Sequence, residues 1–130
     1  IWKVKANGEV SVFAEGDPLT LPNGVAMDND GNIVVVNMGS RDVVSYSPDG
    51  EIVRTEQAAE SGSDGVVVLP DGTKYVSSVR YGSVSKLVVG EPTQVIATGI
   101  PSAASMCYDP VQHQLVIPMN PNNALAFIKL

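Results

Sequence analysis

The chain has few of the residue types from which metal centres and catalytic triads are most often built. Its 130 residues include one cysteine and one histidine. A lone cysteine cannot form an intrachain disulfide, and this set is too small for a Cys/His zinc site. The sequence also lacks a Gly-rich phosphate loop leading into a helix and any apolar run near the roughly 20 residues of a membrane helix.

Charge is also sparse and mostly acidic. Charged residues make up 17% of the chain, and the net charge is −6 at pH 7. Scattered Lys and Arg residues give no electrostatic reason to bind nucleic acid or an anionic membrane. We therefore expect a soluble protein. The start, Ile1-Trp2-Lys3-Val4, does not have the pattern of a signal peptide, so the sequence does not indicate the cellular compartment. A periplasmic or secreted protein without its signal segment is one interpretation.

An internal repeat is the main signal in the sequence. The segment from Pro22 to Val36 aligns with the segment from Ser63 to Ser77, and a third copy runs from Ala103 to Ile117. The spacing is 41 residues from Asn23 to Asp64, and 40 from Asp64 to Ala104 in this alignment. A period near 40 matches four short strands with their turns, as in propeller blades.

The strands predicted within each repeat are short and apolar, and tight turns separate them. Asn7-Gly8, Asp30-Gly31, Asp49-Gly50 and Asp71-Gly72 are hairpin signals. We predict an all-β chain with about three four-stranded antiparallel blades. Its parts are strands three and four of one blade (1–16), two full blades (17–57 and 58–99) and an incomplete blade (100–130). Residues 56–60 are predicted to form one helical turn at most.

Several predicted strands are apolar without alternation, notably Ile33–Val36 and Val66–Leu69. Such runs need burial on both faces, which blades stacked around an axis provide. Three blades are too few to close a ring, and an open fan would expose apolar faces. We therefore expect a six-bladed ring, completed either by a homodimer or by a missing half of the same polypeptide.

Single residues outside the repeat signal have structural interpretations. Cys107 lies in an apolar strand pattern and is predicted to be a small core residue. Trp2 and Tyr46 are predicted to pack on outer strands, and His113 to occupy a surface turn where the other repeats have Gly or Asp. Asp28 and Asp109 are predicted to be turn residues at the end of the blade opposite the site discussed below.

The blade starts Leu21-Pro22-Asn23-Gly24-Val25-Ala26-Met27-Asp28 and Gly62-Ser63-Asp64-Gly65-Val66-Val67-Val68 resemble those of the gluconolactonase, regucalcin and luciferin-regenerating enzyme family. They are also similar to NHL-repeat propellers. The residues from Ile100 to Leu130 look like the last blade of bacterial members. The resemblance spans the whole chain but about half of the family's usual length, and such short patterns recur in propellers of many functions.

The resemblance to the lactonase-type family implies a divalent metal, usually calcium, in the central channel. The family's ligands are a Glu, an Asn in a Pro-Asn-Gly-like start and an Asp in an Asp-Gly-like start. Asn23 falls on the Asn position and Asp64 on the Asp position, where Asp64 could double as the catalytic proton acceptor. The chain has no Glu at the equivalent first-blade position, and it lacks the region with the family's substrate-binding Arg and Asn.

Strand direction places further polar residues at the same end of the blades. The loop before strand one and the loop after strand two share a face, so Arg41, Arg80, Tyr81 and Asn120 are expected near Asn23 and Asp64. Together they would form a small-molecule site at the channel mouth. The alternative is structural, because Asn and Asp before Gly are common turn residues and loop Arg and Tyr are often only solvated.

Three functional hypotheses remain at this point. The first is a lactonase-like, metal-dependent hydrolase or half of one. The second is a non-catalytic propeller that binds a peptide, sugar or partner protein through the same end, in the manner of NHL-type propellers. The third is a half-propeller whose main property is self-association.

Overall fold

The computed structural model describes residues 1–130, which form thirteen strands in four antiparallel sheets. The sheets follow one another along the chain, and every strand pairs with its sequence neighbour within its sheet. Helical structure is limited to one three-residue 3-10 turn, Asn120–Asn122. The structure therefore contains no helix that could cross a membrane.

The first sheet has two strands, the second and third have four each, and the fourth has three. The strands are β1 (Trp2–Val4), β2 (Val10–Val12), β3 (Pro22–Met27), β4 (Ile33–Asn37), β5 (Asp42–Tyr46), β6 (Ile52–Gln57), β7 (Ser63–Val68), β8 (Lys74–Ser78), β9 (Ser83–Leu87), β10 (Gln94–Ala97), β11 (Cys107–Asp109), β12 (Gln114–Met119) and β13 (Ala124–Lys129).

The turns between strands follow the local chemistry expected of Asp-Gly pairs. Gly31 and Gly72 have φ angles of +81° and +85°, which glycine adopts without the Cβ clash that other residues suffer. Asp28 Oδ1 accepts hydrogen bonds from the backbone N–H groups of Asp30 and Asn32, at 3.0 and 2.9 Å. His113 occupies the corresponding turn of the fourth sheet at φ +49°, as predicted.

The apolar runs are buried between sheets, as their lack of alternation predicted. In β4, Val34 and Val36 face the third sheet and pack in a cluster with Val66 and Val76. Val35, on the other side of β4, packs in a cluster with Tyr46, Phe13 and Ile1 of the second and first sheets. Fully burying one such side chain contributes about 1.5–3 kcal/mol, so these interfaces hold the sheets together.

The inner strands β3, β7 and β11 lie side by side, with very close backbone contacts. A Cβ atom added to Gly24 would lie 2.2 Å from the backbone oxygen of Asp64. A Cβ atom added to Gly65 would lie 2.8 Å from the backbone nitrogen of Met106. Because only glycine permits such an approach, these two residues set the spacing of the sheets at the axis.

Buried hydroxyl and amide groups support the same region. Ser77 Oγ accepts a hydrogen bond from the Gly65 N–H (2.8 Å) and donates one to the Ala104 carbonyl (2.7 Å). It therefore connects the third sheet to the fourth. In the second sheet, the Asn37 side chain accepts from the Thr20 N–H (2.8 Å) and donates to the Asp42 carbonyl (3.0 Å).

The third sheet has a serine, Ser78, at the position equivalent to Asn37. Ser78 Oγ donates to the Ser61 carbonyl at 2.6 Å and accepts from the Tyr81 N–H at 3.2 Å. Its register partners Ser63 and Ser83 are buried, and their hydroxyl groups have no hydrogen-bond partner. The second sheet has Pro22 and Asp42 at the equivalent positions, so these two hydroxyl groups have no counterpart there.

Both ends of the array present open apolar sheet faces. The N-terminal face consists of the exposed side chains that share one side of β1 and β2: Trp2, Val4, Val10 and Val12. The C-terminal face consists of the cross-strand row Cys107, Val116 and Phe127 and the adjacent pair Pro118 and Leu125.

Two sequence predictions, for Cys107 and Trp2, are corrected here. Cys107 is exposed because its side of the fourth sheet has no further sheet against it. Trp2 is 69% exposed for the same reason at the other end, whereas Tyr46 is buried as predicted. Residues 56–60 form no helical turn, because Glu56 and Gln57 continue strand β6 and Glu56 forms an ion pair with buried Lys74 at 2.8 Å.

Candidate functional site

Three polar side chains lie in contact at the starts of the inner strands: Asn23, Asp64 and Ser105, hereafter the axial triplet. Asn23 Nδ2 donates a hydrogen bond to Asp64 Oδ2 at 3.3 Å. Ser105 Oγ donates one to Asp64 Oδ1 at 3.1 Å. The three positions are 41 residues apart in the chain, so one residue from each of three successive sheets contributes to one cluster.

Irregular strand starts bring these side chains together. The pairing of β3 with β4 shifts register between Pro22 and Val25, and that of β7 with β8 shifts between Ser63 and Val66. Asn23 and Asp64 lie within these shifts. Such bulges change the direction of a side chain relative to a regular ladder. Ser105 lies two residues before the fourth sheet's inner strand, Cys107–Asp109.

The electrostatics of the triplet depend on Asp64, its only charged member. No Lys or Arg forms an ion pair with this carboxylate, so neutral hydrogen-bond donors from both neighbours stabilise it. Asn23 Nδ2 also lies 3.1 Å from Met38 Sδ, a weak acceptor. The structure contains no group of three His, Cys, Asp or Glu residues that could hold a metal ion.

The donor set nevertheless matches part of a hard-cation site. An amide, a carboxylate and a hydroxyl supply oxygen ligands of the kind that calcium prefers. Calcium takes about 6–8 oxygens, so this chain supplies only part of a shell. Asn23 presents its NH₂ group to Asp64, and its Oδ1 would have to rotate inward to meet a cation. The residues therefore fit a partial calcium site.

The other predicted site residues lie in the loops but in separate surroundings. Arg41 Nε donates to the Ala58 carbonyl at 2.7 Å, which fixes its side chain against the chain segment between the second and third sheets. Arg80 lies 3.5 Å from Ser61 Oγ. Arg80 and exposed Tyr81 line a shallow depression of about 280 Å³, and Asn120 lines another of about 270 Å³. Neither depression includes the axial triplet.

Sequence reasoning missed Ser105. The alignment matched Asp64 with Ala104 at a spacing of 40, whereas the structure places Ser105 beside the carboxylate. The signal was present in the sequence, because the spacing of 41 that relates Asn23 to Asp64 also relates Asp64 to Ser105.

The largest cleft of the molecule lies elsewhere. It has a volume of about 340 Å³ between the first and second sheets, and its lining is mostly apolar and includes Ile1, Phe13, Val25 and Met27. Val25 and Met27 lie on the inner strand but remain 61% and 64% exposed, because the first sheet covers only the outer part of the second. The cleft offers no group for acid–base chemistry.

This arrangement, with antiparallel four-stranded sheets packed face to face around inner strands, is that of a β-propeller, and the chain forms half of one. The class follows from the fold. Solved structures similar to the chain over 99% of its length are propellers of the gluconolactonase-like type. The resemblance expected from the blade starts is thus confirmed as a resemblance of fold.

Three of these solved structures are informative. A gluconolactonase from Xanthomonas campestris has a TM-score of 0.74 and 21% identity, and the chain covers 43% of it. A streptogramin B lyase has a TM-score of 0.71 with 13% identity and 47% coverage. A virginiamycin B lyase from Staphylococcus aureus has a TM-score of 0.70 with 10% identity and 48% coverage. The chain spans about half the length of these propellers.

Sequence comparisons add no closer relative. No protein-family profile matches the chain, and no curated protein matches it.

Proposed function

We propose that the chain carries part of the active site of a lactonase-like, metal-dependent small-molecule hydrolase at the mouth of the propeller channel. The observation that supports this proposal is the contact of Asn23 and Ser105 with Asp64 at the irregular strand starts. The similar propellers are lactonase- and lyase-type enzymes. This likeness favours an enzyme over a purely binding propeller.

The residues have distinct roles in this proposal. Asn23 and Asp64 would hold a calcium ion, which when bound can polarise a lactone carbonyl or lower the pKa of a water molecule. Asp64 is the only carboxylate of the triplet, so it is the group that can accept a proton from the attacking water. Arg41, Arg80, Tyr81 and Asn120 would contact hydroxyl or carboxyl groups of the substrate from the surrounding loops.

Calcium binding and lactone hydrolysis can be tested with one pair of variants. We expect calcium to raise the melting temperature of the unmodified chain by preferential binding to the folded state, and Asp64→Asn to abolish that rise. Asp49→Asn is the matched control, because Asp49 lies in the turn between β5 and β6 at the opposite end of the blade and should behave as the unmodified chain does.

The hydrolysis assay uses a simple aldonolactone with a pH indicator, with and without calcium. Calcium-dependent hydrolysis that is lost in Asp64→Asn and retained in Asp49→Asn would support the proposal. If calcium changes neither the melting temperature nor the hydrolysis rate of the unmodified chain, the proposal is wrong.

We also propose that a second copy of the chain covers its open faces, with the N-terminal face of one copy packed on the C-terminal face of another. The chain has about half the length of complete propellers, and its two apolar faces lie on the first and last sheets. Contiguous exposed apolar surface of this kind marks an interaction site. A second half-ring would also bring further oxygen ligands to the incomplete calcium shell.

The contact through the faces does not fix how the ring closes. Both β1 and β13 occupy the third-strand position of a blade. If the last sheet of one copy and the first sheet of the other were to form one regular four-stranded blade, that blade would have room for only one of these two strands. Assembly is expected to give at least twice the chain mass in sedimentation equilibrium. Phe127→Asp on the C-terminal face should lower that mass.

Val111→Asp should not lower it, because Val111 is 85% exposed but lies in the turn outside both faces. A well-folded monomer at micromolar concentration, or equal effects of the two substitutions, would refute this assembly.

A further inference from the structure

We infer that the Ser105 hydroxyl is a third side-chain ligand for calcium. This inference rests on the proposed calcium site and extends it to a residue that the blade-start resemblance does not supply. Its basis is the contact of Ser105 Oγ with Asp64 Oδ1 at 3.1 Å, while Asn23 contacts the other carboxylate oxygen.

Ser105 is chemically suited to the role. Its hydroxyl hydrogen is directed to Asp64 Oδ1, and its oxygen keeps lone pairs that can face a cation. A cation bound beside Asp64 would therefore meet the hydroxyl oxygen without moving the serine. Asn23 must turn its amide so that Oδ1 replaces Nδ2, which costs its hydrogen bonds to Asp64 and Met38.

The ordering of events follows from these contacts. Without a cation, both carboxylate oxygens of Asp64 accept hydrogen bonds from neutral donors, and this keeps the carboxylate in place. A bound cation would be held by oxygens of Asp64 and Ser105, and by Asn23 Oδ1 if its amide turns. Ser105 is thus the member that is in position before the ion arrives, and its removal should weaken binding without unfolding the site.

Isothermal titration calorimetry with calcium chloride tests this inference without any measurement of activity. We expect Ser105→Ala to weaken calcium binding about tenfold, which corresponds to about 1.4 kcal/mol. Ser105→Asp should tighten binding at least as much, because it adds a carboxylate ligand at the same place. Ser11→Ala is the matched control, since Ser11 lies on β2 in the first sheet and should leave the dissociation constant unchanged.

The outcomes of this titration separate the two proposals. If the unmodified chain binds no calcium, the proposed function fails. If it binds calcium but Ser105→Ala and Ser105→Asp leave the dissociation constant within twofold, the proposed function stands and Ser105 is not a ligand.

Discussion

Removing the Ser77 hydroxyl is the sharpest test of how the third and fourth sheets are joined. Ser77 is fully buried and pairs the Gly65 N–H with the Ala104 carbonyl. Ser77→Ala leaves both backbone groups buried without this partner. Each unsatisfied group costs about 1–3 kcal/mol, so we expect the free energy of unfolding to fall by about 2–6 kcal/mol for the two groups. Small domains typically have only about 5–15 kcal/mol in total.

A second variant separates hydrogen bonding from packing. Ser77→Val fills the volume with the side chain that Val36 has at the equivalent position of the second sheet, but it restores neither hydrogen bond. We expect it to remain destabilised by at least about 1.5 kcal/mol, because the two backbone groups stay unpaired. Urea unfolding measures both variants, and a shift of the midpoint at constant slope reports the change in stability.

The control is Ser11→Ala, since Ser11 is only partly buried and belongs to neither the third nor the fourth sheet; its stability should change by less than about 0.5 kcal/mol. If Ser77→Val is as stable as the unmodified chain, packing and not the hydroxyl bridge joins these sheets. If Ser77→Ala changes stability by less than about 0.5 kcal/mol, the bridge contributes little and the reasoning from buried polar groups is wrong.

Three further predictions concern other positions. Ser78→Asn should raise the unfolding free energy by about 0.5–1.5 kcal/mol, because an amide can reach groups that serine leaves unpaired; a loss of stability in urea unfolding would contradict this. Gly24→Ala should destabilise by about 1–3 kcal/mol, because its Cβ would lie 2.2 Å from the Asp64 carbonyl oxygen; an unchanged melting temperature would refute the close approach. Stability should also fall as the pH drops below the ordinary aspartate pKa of 3.8, with little change above pH 5. Hydrogen bonds in the folded state lower the pKa of three turn carboxylates. The stability that these carboxylates contribute is therefore present above their pKa in the unfolded chain, and it is lost as the pH falls through their lower pKa in the folded chain. Burial raises the pKa of Asp28, but hydrogen bonds from Asn32 and Asp30 outweigh this effect and lower it. A hydrogen bond from the backbone N–H of Thr73 lowers the pKa of Asp71, and one from the side chain of Gln114 lowers the pKa of Asp109. Thermal unfolding between pH 2 and 7 checks this, and a melting temperature that is constant across the acid range would contradict it.

The fold could be predicted because the same physical demand recurs in each repeat. A strand such as Ile33–Val36, which presents apolar side chains on both of its faces, requires an apolar surface against each face. Gly31 and Gly72 fix where the chain reverses, and their spacing fixes the period. These signals are local in sequence, and the stacking of sheets follows from them without knowledge of any distant contact.

The exposed ends could not be predicted in the same way. Cys107 and Trp2 lie in strand patterns typical of buried positions, and such a pattern does not say whether a neighbouring sheet is present. Burial of these side chains depends on what packs against the first and last sheets, which lies outside the local sequence. The expectations that Cys107 would be a core residue and that Trp2 would pack on an outer strand failed for that reason.

The candidate site was predictable only in part. Asn23 and Asp64 stand out because each precedes a glycine at the same place in the repeat. Ser105 does not precede a glycine, since Met106 takes that position, and the alignment therefore shifted to Ala104. Loop residues such as Arg41 were harder still, because the partner of its guanidinium, the Ala58 carbonyl, is a backbone atom that no sequence pattern indicates.

The register shifts at the starts of β3 and β7 affect which amino-acid substitutions the strands tolerate there. The side chains at positions 23 and 64 lie where the ladder is interrupted, so exchanging them disturbs no regular cross-strand pair. The glycines that follow keep the backbones in contact whichever side chain precedes them. A mutation there can alter ligand preference while the surrounding strands fold as before, which makes this end of the axis a place where new specificity can arise by single substitutions.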